Sequence, residues 1–323
     1  MILERRQFLR LAAGAGALIA GSRLAQARTY PIRPVHILVG FPPGLGIDIY
    51  ARLLAQPLSE RLGQQIIVDN RPGGGSNIAT ETMLRAPADG YTLLFAASAN
   101  AFNATLFRGL NFNFIRDAAP IASVGRTPFV MVVNSTFPAK TVPEFVTYAK
   151  ANPGKINVAS PGIGTANHVF GELFSMMTGI EMVHVPYRGS FMPDLLAGQV
   201  QVAFIGLPAV IEYVRGGQLR ALAVTTAERV ETLPDTPAVG ESVPGYEASA
   251  WNGIVGPRNI SSDVVETLNT EINAIISNVD VKTRLLGLGV APIPMTPAEF
   301  GKFIANETEK WARVIRAADI RPE

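Results

Sequence analysis

Residues 35–48 read Val35-His36-Ile37-Leu38-Val39-Gly40-Phe41-Pro42-Pro43-Gly44-Leu45-Gly46-Ile47-Asp48. Val35–Val39 is a short apolar run halted by Gly40, the mark of a buried strand. Phe41–Ile47 is a loop, broken by paired prolines and two glycines. Asp48 then caps a helix through Leu62, with Ala51, Leu54 and Leu58 on one face. The same order recurs. Ile66–Val68 is a second strand, Arg71-Pro72-Gly73-Gly74-Gly75 a break, Ser76 a cap for a helix through Arg85, and Tyr91–Ala96 a third strand. The pattern restarts after Val124. Strands at Val130–Val133, Ile156–Ala159, Met182–Val185, Val202–Ile205 and Leu222–Val224 alternate with helices at Thr141–Ala151, Ala166–Thr178 and Met192–Ala197. This repetition predicts an α/β fold with parallel sheet flanked by helices on both faces. After Trp251 the pattern turns helical, at Ser261–Ser277, Val279–Leu288 and Pro297–Ala318. In the last of these Phe300, Phe303, Ile304, Trp311, Val314 and Ile315 recur at helical spacing, which is core packing.

Composition narrows the function. The chain has 323 residues, long enough for about two domains. Charged residues make up 17%, below the usual level of about 25%, while 48% are hydrophobic, so a packed core is expected. There is no cysteine, which excludes thiolate catalysis, thiolate-bound zinc and disulfides. The three histidines, His36, His168 and His184, form no metal-binding spacing, and no metal or cofactor is expected. A formal charge of +2 without a basic run gives no nucleic-acid footprint.

Residues 1–27 read as an export signal. Arg5 and Arg6 precede an apolar stretch, Leu11 to Gly21, and Ala25-Gln26-Ala27 offers a cleavage site. Arg5-Arg6 with Phe8-Leu9 fits a twin-arginine signal, although Glu4 occupies a place that signal gives to Ser or Thr, so Sec export is the alternative. Cleavage after Ala27 and a periplasmic destination are expected. That segment holds four of the 28 basic side chains and one of the 26 acidic ones, leaving 24 against 25. The basic balance therefore belongs to the signal, and no other apolar run is long enough to span a bilayer.

Catalytic and nucleotide motifs fail. Gly44-x-Gly46 is followed by Ile49, and Gly162-x-Gly164 by Asn167, where a dinucleotide loop needs glycine. There is no P-loop and no G-x-S-x-G elbow. Two similar devices remain, one in each half: Gly44–Asp48, and Ser160-Pro161-Gly162-Ile163-Gly164-Thr165-Ala166-Asn167. Each is a glycine-rich turn at a helix start, where backbone N–H groups attract anions. Such turns are also ordinary βα connections. If these two face each other, they form a carboxylate clamp.

Further matches carry a resemblance. They are F-P-P-G-L-G-I-D-I-Y-A-R (41–52), V-D-N-R-P-G-G-G-S-N-I-A (68–79), A-P-A-D-G-Y-T-L-L (86–94), A-S-P-G-I-G-T-A-N-H (159–168), H-V-P-Y-R-G (184–189) and V-P-G-Y-E-A-S-A-W (243–251). In this order and spacing the chain resembles the periplasmic substrate-binding proteins of tripartite tricarboxylate transporters, the Bug-type receptors. The resemblance implies a two-lobed, type II-like binding-protein fold, each lobe a central sheet flanked by helices, with a ligand in the cleft. It divides the chain into lobe 1 (28–127 and 249–323) and lobe 2 (128–248), with crossings near Arg126–Phe129 and Tyr246–Trp251. It implies ligand contacts from Phe41, Gly44, Leu45, Gly46, Ile47 and Asp48 in lobe 1, and from Pro161, Gly162, Gly164, Thr165 and His168 in lobe 2. Ser98 and Asn100 would line the same cleft, as would Tyr187 and Arg188 opposite, unless Arg188 only forms a surface ion pair. Ile205 completes the set, at a position where many relatives carry Asp.

The departures from the family pattern bear on the ligand. Leu45 and Ile47 replace a glycine and a hydroxyl residue, and Ile205-Gly206 replaces Asp-Asn. The segment Ser190-Phe191-Met192-Pro193 is about two residues shorter than usual. Loss of the Asp argues against an amino-acid ligand, and the gained apolar groups point to a carboxylate with an aromatic or aliphatic body. The resemblance thus implies a monomeric receptor, not an enzyme, that captures a small carboxylate and delivers it to the large and small membrane subunits. The alternatives are an orphan receptor feeding a signalling partner and a periplasmic enzyme, for which no nucleophile or metal set is assembled.

Overall fold

The computed structural model describes residues 30–44, 46–187 and 189–321. The expected export signal, Leu45 and Arg188 lie outside the described residues. The first element is β1 (Val35–Val39), followed by α1 (Gly46–Leu62), β2 (Ile66–Asn70), α2 (Asn77–Leu84), β3 (Thr92–Ala97), α3 (Ser98–Leu106) and α4 (Phe114–Asp117). Then come β4 (Ala118–Asn134), α5 (Val142–Ala151), β5 (Ile156–Ser160), α6 (Ala166–Thr178), β6 (Met182–Pro186), α7 (Met192–Leu196) and β7 (Val202–Gly206). The chain ends with α8 (Ile211–Arg215), β8 (Leu219–Val224), β9 (Ser249–Pro257), α9 (Ser262–Ser277), α10 (Val279–Gly287), β10 (Ala291–Pro292) and α11 (Pro297–Ala317).

The strands pair in the order β2-β1-β3-β9-β4-β7-β5-β6, with β8 and β10 also on β4. The expected parallel sheet is found within each wing but not at the centre. β1 runs parallel to β2 and β3, and β5 parallel to β6 and β7, but β4 and β9 are antiparallel to their neighbours. Both wings grow from βαβ units, which force parallel pairing. The two central strands belong to the crossovers between the wings.

β4 explains how the wings join. At ~3.3 Å per residue its 17 residues span roughly 56 Å, too far for one sheet of ordinary strands. Ala118–Pro128 pairs with β9, and Phe129–Val133 pairs with β7. Pro128, which cannot donate to a ladder, sits where the partners change. Register irregularities beside Pro120 and Ser123 take up the other breaks. The strand expected at Val130–Val133 is therefore only the end of β4. The three helices expected after Trp251 are found, but only after β9, an unexpected strand that runs on to Pro257. Ser76 does precede α2, but in the left-handed region (φ 82°), and its hydroxyl caps nothing.

One hydrophobic core passes behind both wings. Trp311 on α11 stacks on Phe170 of α6 (4.9 Å) and meets Phe102 of α3 edge-on (5.5 Å). α11 can cover both wings because it begins cleanly. Thr296 and Glu299 form a reciprocal capping box, and Pro297 occupies the first turn. Of its expected apolar stripe, Phe300, Ile304, Trp311, Val314 and Ile315 are buried and Phe303 is half-buried against the same core. The other two clusters lie under β1, β3 and α1, and under β7, β8 and α7.

Candidate functional site

Where β1, β3 and β5 end, three helices begin: α1 at Gly46, α3 at Ser98 and α6 at Ala166. A cavity of about 460 Å³ lies among these starts. Gly46 and Ile47 line it from α1, Ser98 and Ala99 from α3, and Gly164, Thr165 and Ala166 from α6. Its walls are Phe41, Phe102, Leu106, Phe107 and Ile163, and β9 supplies Ala250, Trp251 and Asn252. Among the described lining residues none carries a charge. The α3 and α6 starts are not capped by a side chain. Ala97 has no polar atom to offer, and Thr165 turns its hydroxyl to the Gly162 carbonyl (2.7 Å). Each helix start carries roughly half a positive charge. The volume falls in the range of about 300–1,000 Å³ typical of small-ligand sites.

The first glycine turn is held from behind by Asp48. Its carboxylate accepts the Gly44 N–H (2.9 Å), the Arg52 Nε–H (3.1 Å) and the Asn70 amide (2.9 Å). Asn70 also donates to the Phe41 carbonyl (3.0 Å). Burial raises the Asp48 pKa, but the hydrogen bonds from Arg52, Gly44 and Asn70 outweigh it and hold the carboxyl below the usual range. Because α1 begins at Gly46, Asp48 lies in its first turn rather than at its cap. Gly44 and Asp48 thus shape the turn, and neither lines the cavity.

The second turn rests on a pair of imidazoles. The Gly164 N–H donates to His168 Nδ1 (3.1 Å), which requires that nitrogen to be unprotonated. His168 Nε2 faces Glu172 at 3.4 Å. The His168 and His184 rings stack, and His184 Nε2 lies 2.6 Å from Ser160 Oγ. Burial, and then the neighbouring His168, push His184 down to about 4, so it is neutral near pH 7. Ser160 Oγ accepts the Gly162 N–H (3.1 Å) and lies 2.9 Å from the Gly162 carbonyl. Ser160 is fully buried, which makes this Ser–His contact a brace for the turn rather than a nucleophile. Gly162 has φ +139° and Gly164 φ +74°, backbone positions that a side chain would strain.

The structure therefore brings Phe41, Gly46, Ile47, Ser98, Gly164 and Thr165 together around one cavity. Of the other described candidates, Pro161 and Gly162 belong to the second turn without lining the cavity, and His168 supports that turn from α6. Asn100 is buried, accepting the Ala97 N–H (2.9 Å) and donating to Thr80 (2.8 Å). Tyr187 donates its hydroxyl to Asp194 (2.7 Å), which pushes its pKa up to about 12. Ile205 packs into the core under β7 and β8.

Sequence reasoning missed Gly75, Phe102, Asn103, Leu106, Phe107 and Trp251. Four of these sit on or just after α3, a helix not foreseen. Its signal was present in Phe102 and Leu106, one turn apart after Ser98.

Comparison with known proteins places the chain. A family model described as "Tripartite tricarboxylate transporter family receptor" matches residues 50–320. Protein BugT of Bordetella pertussis is 35% identical over 315 residues, covering 95% of this chain and 97% of that protein. The structure of R. palustris Rpa4515 with adipate superposes with a TM-score of 0.79 at 32% identity, covering 91% of this chain and 100% of the other. MatC from Rhodopseudomonas palustris with bound malate gives a TM-score of 0.75 at 27% identity, covering 88% and 100%. The mixed α/β architecture is thus that of a periplasmic binding protein, with the cavity where the helix starts meet. The chain belongs to the tripartite tricarboxylate transporter receptor family, whose members are solute-binding receptors and not enzymes.

Proposed function

We propose that this receptor captures a small carboxylate with an apolar body in the cavity between the three helix starts. The supporting observation is the combination at that site. Three helix starts turn toward one cavity whose walls are mainly phenylalanine, leucine, isoleucine and tryptophan with Asn103 and Asn252 as the polar side chains beside them, and none of the described lining residues is charged. The helix starts satisfy the carboxylate and the walls bury the hydrocarbon. Adipate, present in the structure of one relative, has such an aliphatic body; malate, present in another, is shorter and more polar.

The receptor works after export and cleavage at residue 27, in the periplasm, as a monomer. Residues 28–127 with 249–323 form one lobe and 128–248 the other, and the cleft closes on the ligand. The closed form is delivered to the large and small membrane subunits of a tripartite tricarboxylate-type transporter. Among the described residues no helix is long and apolar enough to cross a membrane.

Isothermal titration of residues 28–323 with a panel of acids tests the reading. Aliphatic or aromatic monocarboxylates should bind more tightly than citrate or succinate. The reverse order would overturn it.

A further inference from the structure

A second chamber adjoins the cavity. It has a volume of about 210 Å³, and its polar lining comes from Asn77, Asn100, Asn103 and Asn113. Among the described residues, only Asn103 and Phe107 line both chambers. Asn103 is in the last turn of α3 and Phe107 directly follows it, and both come close to Gly75. Gly75 completes the partition. A Cβ at Gly75 would lie 3.3 Å from Asn103 Oδ1 and 3.7 Å from the Phe107 ring. The two spaces are thus divided by side chains.

The two side chains are held very differently. Asn103 is buried and tied, donating to the Gly75 carbonyl (2.7 Å) and to Asn77 Oδ1 (2.9 Å). Phe107 is half-buried and has left the helix, with extended backbone (φ −97°, ψ 114°), and Gly109 follows at φ +84°. Its ring therefore depends on packing alone.

We propose that Phe107 sets the length of the acid this receptor accepts, and that the chamber behind it suits a neutral, hydrogen-bonding tail. The proposal rests on the carboxylate-receptor reading above. With the carboxylate at the helix starts, a ligand chain grows past Phe102 and Leu106 toward Phe107. There the ring stops it. Beyond the ring, amide groups both donate and accept. Among the described residues no Lys, Arg or His lines that chamber, so a second carboxylate would be desolvated without a counter-charge. A hydroxyl, ketone or amide suits it. A third, exposed groove of about 480 Å³ also borders Phe107 and contains Arg108 and Arg316, which gives a competing exit of opposite chemistry.

The test is a length ladder measured by isothermal titration with residues 28–323. The probes are straight-chain monocarboxylates, their ω-hydroxy forms and the matching dicarboxylates, against wild type, Phe107→Ala and Phe107→Val. In wild type, affinity should rise about fourfold per buried methylene, then fall once the main cavity is full. In Phe107→Ala the break should move to longer chains, and ω-hydroxy acids should outbind alkyl acids of equal length. Short acids should bind Phe107→Ala somewhat more weakly than wild type, because the variant loses a wall of the main cavity, without any shift of the break. Phe107→Val carries the same ladder should the alanine variant fail to fold. An unchanged ladder with wild-type binding intact overturns the partition alone. A gain confined to dicarboxylates sends the tail to the arginine groove and overturns the amide chamber. No binding of any acid to wild type overturns both the partition and the function it rests on.

Discussion

The rings of His168 and His184 lie face to face, 3.5 Å between centroids and 6° from parallel, directly beneath the second glycine turn. One reaches the turn through the Gly164 N–H, the other through Ser160. Two imidazoles at this distance cannot both carry charge cheaply, and burial adds to that cost.

The consequence is a pH dependence with a definite sign. His184 titrates near 4 in the folded protein against about 6.5 unfolded. Between those values the unfolded chain binds the extra proton, so stability falls as pH drops from about 6.5 to about 4 and is unaffected above that window. Thermal melts across pH 4–8 should show this slope, and His184→Gln should flatten it. A melting temperature independent of pH in wild type over that window would contradict the buried neutral pair.

Gly164→Val should abolish tight binding while leaving the fold intact. At φ +74° a side chain costs about 1–2 kcal/mol, and its Cβ would come 2.6 Å from Leu106 Cδ1, pushing a wall residue into the cavity. Thr165→Ala removes the hydroxyl bond to Gly162 and should weaken binding more mildly, by about 1 kcal/mol. Titration calorimetry with parallel thermal melts separates affinity from stability. Unchanged affinity in both variants would remove this turn from the site.

Asp48→Ala should destabilise the protein rather than act on the ligand directly. It strands the Gly44 N–H and the Asn70 and Arg52 side chains, at a cost of about 2–3 kcal/mol. The Asp48 pKa is lowered in the folded protein, so its contribution is present above about pH 4 and lost as pH falls further. Urea unfolding at pH 7 should show a lower midpoint than wild type. A midpoint equal to wild type would mean the turn does not depend on this carboxylate.

The chain has two tryptophans, and only Trp251 lines the cavity. Ligand addition should change intrinsic fluorescence in wild type and in Trp311→Phe, but far less in Trp251→Phe. A signal that disappears with Trp311 instead would assign it to rearrangement of the core shared by the wings.

Much of this was readable in the residues. α6 is found at the span its periodicity gave, and β1, β5 and β7 differ from the expected strands by at most one residue. Local signals suffice where a strand and helix bury faces of their own. β4 was obscured because Pro120, Gly125 and Pro128 look like breaks, and only pairing with β9, distant in sequence, makes them part of a strand. α3 was obscured because Asn and Ala dilute its apolar face, and packing under Trp311 completes it. For the site, glycine patterns mark two turns that border the cavity, but they carry no information on which atoms face it. Asp48 and His168 each accept a hydrogen bond from a glycine of a turn, a contact set by folding rather than by local pattern.

β9 lies between β3 and β4, and so completes a sheet begun more than a hundred residues earlier. Until Ser249–Pro257 leaves the ribosome, β3 and β4 present open edges with nothing to join them. The first wing therefore cannot assemble as an independent unit during synthesis, unlike a domain that is contiguous in sequence. Most of the chain must be made before any of it is finished. Pairing over such distances is slow. Its fold is therefore completed late, which leaves time for chaperones to engage the chain.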